Sequence, residues 1–341
     1  MRRRQQVNPR HGFTIIELLV SLAVIGLLAA LILPAVQSSR ESARRITCHN
    51  NLHQFGLALH NFDERNRSFP KEGGPWVRLF PTSTRMVGGD YSVLAQLLAD
   101  LDQAAIHNRF DFSNYNRLPW NKEPRVETFF CPSDPVDFKG TNYRVCRGID
   151  PEQQAIQTDK NRMGLFGTDG VPTPADVTDG LSNTIAISER VRSDESPDPF
   201  QRPADVAGSG LSSVLANGQV VTPDEMRDVC GSLSGAGVGY SGQVGWFWSH
   251  AAKLQTQYNH VGPPNSDIGD CAIAPLDSTD SPAGSQSDSP EGGQMSARSY
   301  HPGGVNCLLA DGSVRFVSDS IDLGLWRALA TIAGSEVIGE F

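Results

Sequence analysis

The chain has 341 residues, a formal net charge of −9 and 39% hydrophobic residues. This acidic balance argues against nucleic acid as the main partner, because phosphate binding requires clustered lysines and arginines. The 33 glycines and 22 prolines predict a loop-rich fold, yet the chain is long enough to form one sizeable hydrophobic core.

The first predicted element is an apolar run from Phe13 to Leu33 whose single charged residue is Glu17. At about 1.5 Å per residue, the run spans roughly 30 Å, the thickness of a bilayer core. Residues 1–12 contain four arginines and no acidic residue, and a basic flank of this kind keeps an N-terminus in the cytoplasm. We therefore predict a leader over 1–12, a transmembrane helix over 13–34 and a domain outside the cytoplasm.

A secretory signal peptide and a plain uncleaved anchor are the other interpretations of this run. Signal peptides have apolar cores of about 7–15 residues and a small-x-small cleavage site, and this core is longer. The uncleaved anchor stays open. Glu17 also has two interpretations. A carboxylate at the bilayer centre costs about 2.5–3.5 kcal/mol and is usually retained for a partner, but Glu17 could instead complete a capping box begun by Thr14.

Residues 35–66 are predicted to continue the same helix as an amphipathic stalk. Pro34 can kink a helix without ending it. The apolar residues that follow have the spacing 4, 3, 4 and 3, which forms one stripe along a helix. They are Cys48, Leu52, Phe55, Leu59 and Phe62. We expect this stripe to pack against the domain that follows.

Residues 67–341 are predicted to form an α+β head with mostly antiparallel strands. An apolar face over Tyr91–Phe110 predicts a helix. Residues 191–235 and 274–297 are poor in apolar side chains, which indicates surface insertions. The strand candidates are Val126–Phe130, Tyr143–Cys146, Thr184–Ser188 and Val244–Trp248.

A hairpin is predicted near the C-terminus. Two apolar runs, Gly304–Ala310 and Ser313–Ser318, flank Asp311-Gly312, and an Asp-Gly pair in this position is typical of a two-residue turn. Such a turn would place His301 opposite Asp322 and about 33 Å from Asp311. We therefore interpret Asp311 as a turn residue and His301 mainly as a structural one.

Several residues could form binding sites, although each has a more ordinary structural explanation. Carboxylates around Asp169-Gly170 and Asp179-Gly180 could bind Ca²⁺, but Asp and Asn are common in turns. His49 and His53 share a helix face, and a solvated polar surface is the better interpretation. An aromatic surface for a sugar is conceivable, but core packing is favoured; its members would be Trp246, Trp248, Tyr240 and Tyr258.

The chain contains neither a nucleophile elbow, a zinc-protease motif nor a phosphate-binding glycine loop, so we expect no enzyme activity, cofactor or resident metal. Its six cysteines are Cys48, Cys131, Cys146, Cys230, Cys271 and Cys307. They could pair in 15 ways, and the absence of a Cys-x-x-Cys pair disfavours a zinc ribbon or a redox motif. Cys307, in an apolar strand, could be a buried free thiol.

The segment Gly12-Phe13-Thr14-Ile15-Ile16-Glu17 resembles the processing site of type IV prepilins and type II secretion pseudopilins. The resemblance implies that a prepilin peptidase cleaves between Gly12 and Phe13 and that the new Phe13 amine is N-methylated. It also implies that Glu17 pairs with the N-terminal amine of a neighbouring subunit during assembly. The fold implied is pilin-like, with a long N-terminal helix packed on a β-rich head.

Several other segments resemble a large family of prepilin-processed bacterial proteins without an assigned biochemical function. Its signature is a histidine, nine residues and Asp-Gly, which corresponds here to His301, Asp311 and Gly312. The other matching segments are Arg44–Leu52, Phe130–Asp134, Thr178–Thr184 with Glu189, and Ser299–Asn306. Because Cys48 and Cys131 both lie in such segments, the resemblance implies a disulfide between them.

Together these observations predict a pilin- or pseudopilin-like structural protein in the cytoplasmic (inner) membrane, with its head in the periplasm or outside the cell. The expected partners are the prepilin peptidase, the lipid bilayer and other pilin-like subunits bound through the N-terminal helix; nucleic acid is not expected. The alternative is a solitary anchored module that binds a solute or a carbohydrate.

Overall fold

A computed structural model describes most of the chain. The described residues are 15–73, 77–78, 86–87, 91–112, 123–137, 139–151, 161–167, 171–194, 203–208, 221–233, 240–241, 244–272, 292–336 and 339. The chain divides into two compact units, Met1–Arg44 and Arg45–Phe341, which are described separately below.

Helix α1, Ile15–Asn66, is a continuous 52-residue helix with Pro34 inside it. The predicted long N-terminal helix is therefore confirmed. Within the first unit its large apolar side chains are exposed, from Ile15 at 80% to Leu33 at 62%. Among the described residues, α1 is the helix long and apolar enough to cross a membrane.

In the second unit, the last part of α1 buries the predicted apolar stripe. Leu52, Phe55 and Leu59 are buried, and the Phe55 ring stacks on Phe129 with the centroids 5.6 Å apart. Gly56 allows this close packing, because a Cβ atom there would lie 2.9 Å from the Cδ1 atom of Leu308. The predicted role of the stripe in packing is therefore confirmed.

The described strands of this unit form two small sheets and a two-stranded ribbon. The strands are β1 (Val77–Arg78), β2 (Met86–Val87), β3 (Tyr143–Cys146), β4 (Ile185–Glu189), β5 (Val206–Gly208), β6 (Tyr240–Ser241), β7 (Gln257–Tyr258), β8 (Asp270–Ala272), β9 (Gly293–Gln294), β10 (Gly304–Leu309) and β11 (Val314–Ser318). One sheet has the order β11-β10-β4-β3-β7 and the other β6-β5-β8-β9, while β1 pairs with β2. All pairs are antiparallel except β3 with β7 and β5 with β8.

The helices after α1 are short. They are α2 (Val93–Gln96), α3 (Ala104–His107), α4 (Pro223–Ser232) and α5 (Leu323–Ala328). Within the described ranges, four 3₁₀ helices accompany them, at Leu97–Leu101, Glu127–Phe129, Pro174–Asp176 and Leu181–Asn183. The α+β class predicted from the sequence is confirmed.

Three predicted elements are wrong in detail. The helix expected over Tyr91–Phe110 is divided into α2, a 3₁₀ helix and α3, and the last two are separated by Asp102, which adopts a left-handed conformation with φ of 57°. The strand expected at Val126–Phe130 is a 3₁₀ turn. The strand expected at Val244–Trp248 is a turn, in which Gly245 has φ of 81°.

The predicted insertions also contain ordered core elements. Strand β5 and helix α4 lie within residues 191–235, and β9 lies within 274–297. The low apolar content misled the prediction, because small side chains such as Ala207 can pack in a core without long apolar neighbours. A disulfide between Cys230 and Cys271 joins α4 to β8.

The C-terminal hairpin exists, but its register differs by one residue from the prediction. Gly304 pairs with Ser318 and Leu308 pairs with Val314, so the connection has three residues between Leu309 and Ser313. Gly312 adopts φ of 87°, as a three-residue loop of this type requires.

Glu72 is a buried carboxyl group that anchors the start of α2 to β7. It accepts hydrogen bonds from the Val93 amide (2.7 Å), Thr256 Oγ1 (2.6 Å) and Gln257 Nε2 (3.2 Å). The Thr256 hydroxyl also lies 2.8 Å from the His250 carbonyl, and one hydroxyl hydrogen cannot serve both acceptors. When the Glu72 carboxyl group carries a proton, it can instead donate to Thr256 Oγ1 and leave the hydroxyl hydrogen for the His250 carbonyl. Burial raises the pKa of Glu72 to about 7 despite these three hydrogen bonds.

Glu72→Gln is expected to reduce the pH dependence of stability. Because the folded carboxyl holds its proton to higher pH than the unfolded one, the free energy of unfolding falls as pH rises from about 4.5 to about 7. The slope is at most about 1.4 kcal/mol per pH unit for this group. Urea unfolding across this range should show a smaller slope for the variant than for the native chain.

Glu123→Gln is a second test of the same effect, because burial raises the pKa of Glu123 to about 7 as well. Each single variant should lose the part of the pH slope that its own carboxyl group contributes, and the double variant should lose both parts. An unchanged slope in both single variants would show that folding does not raise the pKa of either carboxyl group.

Candidate functional site

The N-terminal unit carries the first group of predicted site residues. Glu17 lies in the first turn of α1, where a carboxylate is stabilised by the positive end of the helix dipole. The predicted cleavage and methylation residues, Gly12 and Phe13, lie outside the described residues, as does the proposed cap Thr14.

The second group lies around His301, in a bend that precedes β10. The ring Nε2 atom is 3.2 Å from Glu189 Oε1 and 3.4 Å from Cys131 Sγ. The other ring nitrogen, Nδ1, is 3.4 Å from Ser133 Oγ. The bend itself is held by Ser299, whose hydroxyl accepts from the His301 amide and donates to the Gly304 carbonyl.

The predicted pairing of His301 with Asp322 is wrong. Strand β10 begins only at Gly304, so His301 is not part of the hairpin ladder and turns back toward β4. Asp322 instead caps α5 by accepting from the Leu325 amide at 2.9 Å.

Asp311 and Gly312 lie in the loop at the other end of β10 from His301. Asp311 Oδ1 accepts from the Ser313 amide at 2.9 Å and from the Ser313 hydroxyl at 2.6 Å. These are the bonds of a turn residue. The loop packs under α1, where His60 lies next to Gly312.

Glu189 ends β4 and is held by β10. Its Oε2 atom accepts from the Asn306 amide at 2.7 Å, and both of its oxygens lie 3.1 Å from Asn306 Nδ2. These bonds leave Oε1 directed at His301. The resemblance described above includes Glu189, but it did not predict the contact between Glu189 and His301. This contact arises because β4 and β10 are neighbours in the sheet.

Cys48 and Cys131 form a disulfide beside His301, with their Cα atoms 5.4 Å apart. It joins α1 to the segment after the 3₁₀ helix at Glu127–Phe129. The Cys131 amide donates to Asn142 Oδ1 at 3.0 Å, which holds this segment next to the residue that precedes β3. Thus four of the segments selected by resemblance converge on one buried cluster, and that convergence is the signal that could have identified the site.

An open cleft of about 550 Å³ borders Cys131. The Phe130 ring at its edge contacts two guanidinium groups, Arg125 at 4.0 Å and Arg192 at 4.6 Å from the ring centroid. Arg192 is also paired with the buried Asp134. Most of the residues that line the cleft are polar or charged.

The other site candidates have structural roles where they are described. Asp179 accepts from the amides of Gly334 (2.7 Å) and Ser335 (2.9 Å), which uses the oxygens that a Ca²⁺ ion would need. Asp169 and Gly170 lie outside the described residues. His49 is partly exposed and His53 is exposed on α1.

The aromatic candidates are core residues. Trp246, Trp248 and Tyr258 are buried, and the side chain of Tyr240 lies outside the described set. The core interpretation is therefore confirmed for these three. Cys307 is a buried free thiol, as predicted, and so is Cys146.

Known proteins resemble both parts of the chain. A family model described as "Protein of unknown function (DUF1559)" matches residues 37–324. A second model, "Prokaryotic N-terminal methylation motif", matches residues 7–33. The chain is 34% identical over 70 residues to the type II secretion system core protein G of Pseudomonas aeruginosa. This alignment covers 20% of the chain and 46% of that relative, and no solved structure matches the chain.

Proposed function

The chain belongs to the family described as "Protein of unknown function (DUF1559)", and we propose that it is a membrane-anchored, pilin- or pseudopilin-like subunit that assembles through α1. The observation that carries the proposal is the match of residues 7–33 to a methylation motif directly at the start of an apolar helix. In this proposal the chain has no catalytic activity and no nucleic acid partner.

The mechanism of assembly follows from the chemistry of α1. A prepilin peptidase would cleave between Gly12 and Phe13, and Phe13 would be methylated. The mature helix would stay in the bilayer through its exposed apolar side chains until similar helices cover them. Glu17 would neutralise the amine of a neighbouring subunit, because two opposite charges in an apolar environment attract strongly when their geometry is good.

The proposed location is the cytoplasmic membrane, with the second unit in the periplasm or outside the cell. Two observations support this side. The arginines of residues 1–12 favour a cytoplasmic N-terminus. The disulfides Cys48–Cys131 and Cys230–Cys271 are typical of an oxidising compartment.

The mature N-terminus tests the processing step. Mass spectrometry of protein extracted from native membranes should find a chain that begins with N-methylated Phe13. An intact Met1 would leave a plain anchor, and a chain that begins after Pro34 would mean an exported protein without α1 as an anchor. Either result would contradict the proposal.

Glu17→Ala tests the assembly step. We expect the yield of oligomers crosslinked through α1 to fall at least about tenfold, while the mature N-terminus is unchanged. Ser21→Ala is the matched control, because Ser21 is exposed one turn further along and bonds only within the helix, to the Leu18 carbonyl. If Glu17→Ala and the native chain are crosslinked with equal yield, the proposed role of Glu17 in assembly is contradicted.

The cleft beside Cys131 favours a second candidate function, a solitary anchored module that binds a polar solute or a carbohydrate. In that case, Glu17→Ala should leave ligand binding intact. Substitution of Arg125, which is partly exposed in the cleft, should abolish binding instead.

A further inference from the structure

The cluster around His301 has the composition of a metal site. One ligand atom from each of four side chains lies within 4.8 Å of the others, and all four side chains are buried. They are Cys48, Cys131, Glu189 and His301. They come from α1, from the segment after the 3₁₀ helix at Glu127–Phe129, from β4 and from the bend before β10, so the folded domain assembles the cluster.

Two thiolates, an imidazole and a carboxylate form a donor set that suits Zn²⁺. Structural zinc sites are tetrahedral, with Cys and His as the usual ligands and carboxylates as accepted ones. Soft thiolates also select against Mg²⁺ and Ca²⁺. In the disulfide the two sulfur atoms are bonded to each other, so the donor set is complete only when the cysteines are reduced.

The groups behind the ligands are arranged to hold them. With a metal on Nε2, His301 carries its proton on Nδ1 and can donate it to Ser133 Oγ, 3.4 Å away. Glu189 keeps Oε1 toward the cluster, because Oε2 accepts from the Asn306 amide. Such supporting hydrogen bonds fix the tautomer and the orientation of metal ligands.

The negative charge of Glu189 also favours a cation at this position. Its ion-pair partner among the described residues is His301, whose charge depends on protonation. A bound Zn²⁺ would compensate the buried carboxylate and the two thiolates together. Of the four cluster residues, Cys131 lines the open cleft, so a small reductant can approach the disulfide from that side.

We propose that reduction of the Cys48–Cys131 disulfide converts this cluster into a Zn²⁺ site closed by Glu189 and His301. A dithiol reductant supplies two electrons and two protons, so that the S–S bond breaks, two thiols form and the reductant becomes a cyclic disulfide. Zn²⁺ then binds both sulfurs, and each thiol releases its proton to solvent. The connection between α1 and the head is thereby kept, by a disulfide when oxidised and by a metal when reduced.

Metal titration of the full-length chain in detergent tests the proposal. The protein is reduced with dithiothreitol, freed of reductant without oxygen and titrated with Co²⁺, a spectroscopic probe for zinc sites. We expect one Co²⁺ per chain, with thiolate charge-transfer bands and the intense visible bands of tetrahedral coordination. Zn²⁺ should displace Co²⁺ and raise the Tm of the reduced protein, whereas the oxidised protein should show neither effect.

Ligand variants separate this site from other thiols. His301→Ala and Glu189→Gln should each weaken Co²⁺ binding at least about tenfold, and Cys48→Ser should both weaken binding and reduce the charge-transfer intensity, because one of the two thiolates is lost. The double variant Cys230→Ser, Cys271→Ser is the matched control, since it removes the other disulfide, and it should bind like the native chain. Ser133→Ala provides a milder test if a ligand variant fails to fold, and it too should weaken binding.

Octahedral Co²⁺ spectra in the reduced native chain would overturn the proposal. The proposal would also be overturned if both His301→Ala and Ser133→Ala bound Co²⁺ as tightly as the native chain. Equal Co²⁺ binding by the oxidised and the reduced protein would overturn it as well. None of these results depends on whether the chain assembles through α1.

Discussion

Asp270→Asn is expected to lower the free energy of unfolding by about 3–5 kcal/mol, because it leaves two buried arginines without their counter-charge. Asp270 Oδ2 lies 2.6 Å from Arg190 NH2, and Oδ1 lies 3.1 Å from Arg298 NH2. Oδ1 also accepts from the Ser296 amide at 3.1 Å. Asp270 and Arg190 are fully buried, and Arg298 nearly so.

The same residue sets an acid limit on stability. Burial would raise the pKa of Asp270, but Arg298 and Arg190 outweigh this effect and hold the pKa below its usual value of 3.8. Because the folded pKa is depressed, the contribution of Asp270 is complete above about pH 3.8 and is lost as pH falls through the folded pKa. The deficit of the variant should therefore shrink in strong acid.

Urea unfolding followed by tryptophan fluorescence measures this difference at neutral pH. Asp224→Asn is the control, since Asp224 pairs with Arg327 at 2.8 Å but is mostly exposed. Its loss should cost less than about 1 kcal/mol. Equal effects of the two substitutions would show that the Asp270 cluster is hydrated and contributes no more than a surface pair.

Trp248→Ala is expected to lower the free energy of unfolding by about 3–5 kcal/mol, the usual cost of removing a large buried aromatic side chain. The ring packs edge-on against Phe110 and Phe129, with centroids 5.7 and 5.4 Å away. Its Nε1 atom donates to the Pro124 carbonyl at 3.0 Å. The substitution therefore removes both core volume and a hydrogen bond between distant segments.

A second variant and its thermal unfolding test this prediction. Trp248→Phe should recover part of the loss, because it restores ring packing but not the hydrogen bond to Pro124. Thermal unfolding of the three proteins gives the order of stability. A Trp248→Ala variant as stable as the native chain, but with altered ligand binding, would instead favour an aromatic binding surface.

Local sequence patterns predicted the elements whose residue composition and spacing are distinctive. The apolar run and the stripe of Leu52, Phe55 and Leu59 specify α1, because hydrophobic periodicity and length suffice for a long helix. Strands β3 and β4 were also predicted, since their β-branched and aromatic residues are buried on both faces. The hairpin was expected from Asp311-Gly312, although its loop proved to have three residues.

The failures occurred where a single backbone conformation or a distant contact decides the structure. Asp102 in the left-handed region ends a helix that the apolar pattern would continue. Gly245 turns the chain at a position where alternation suggested a strand; its carbonyl accepts from the Thr141 amide and its own amide donates to the Leu254 carbonyl. Neither partner can be identified from the residues next to Gly245.

The amino-acid sequence by itself determined the long apolar helix, the N-terminal methylation motif and the family, because these depend on contiguous residues and on their spacing. Only the tertiary structure decided which groups surround His301. The bend before β10 directs its ring toward Glu189 and the Cys48–Cys131 pair, which lie more than a hundred residues away in the chain. Contacts over such separations arise from strand order and helix packing, and a linear pattern does not encode them.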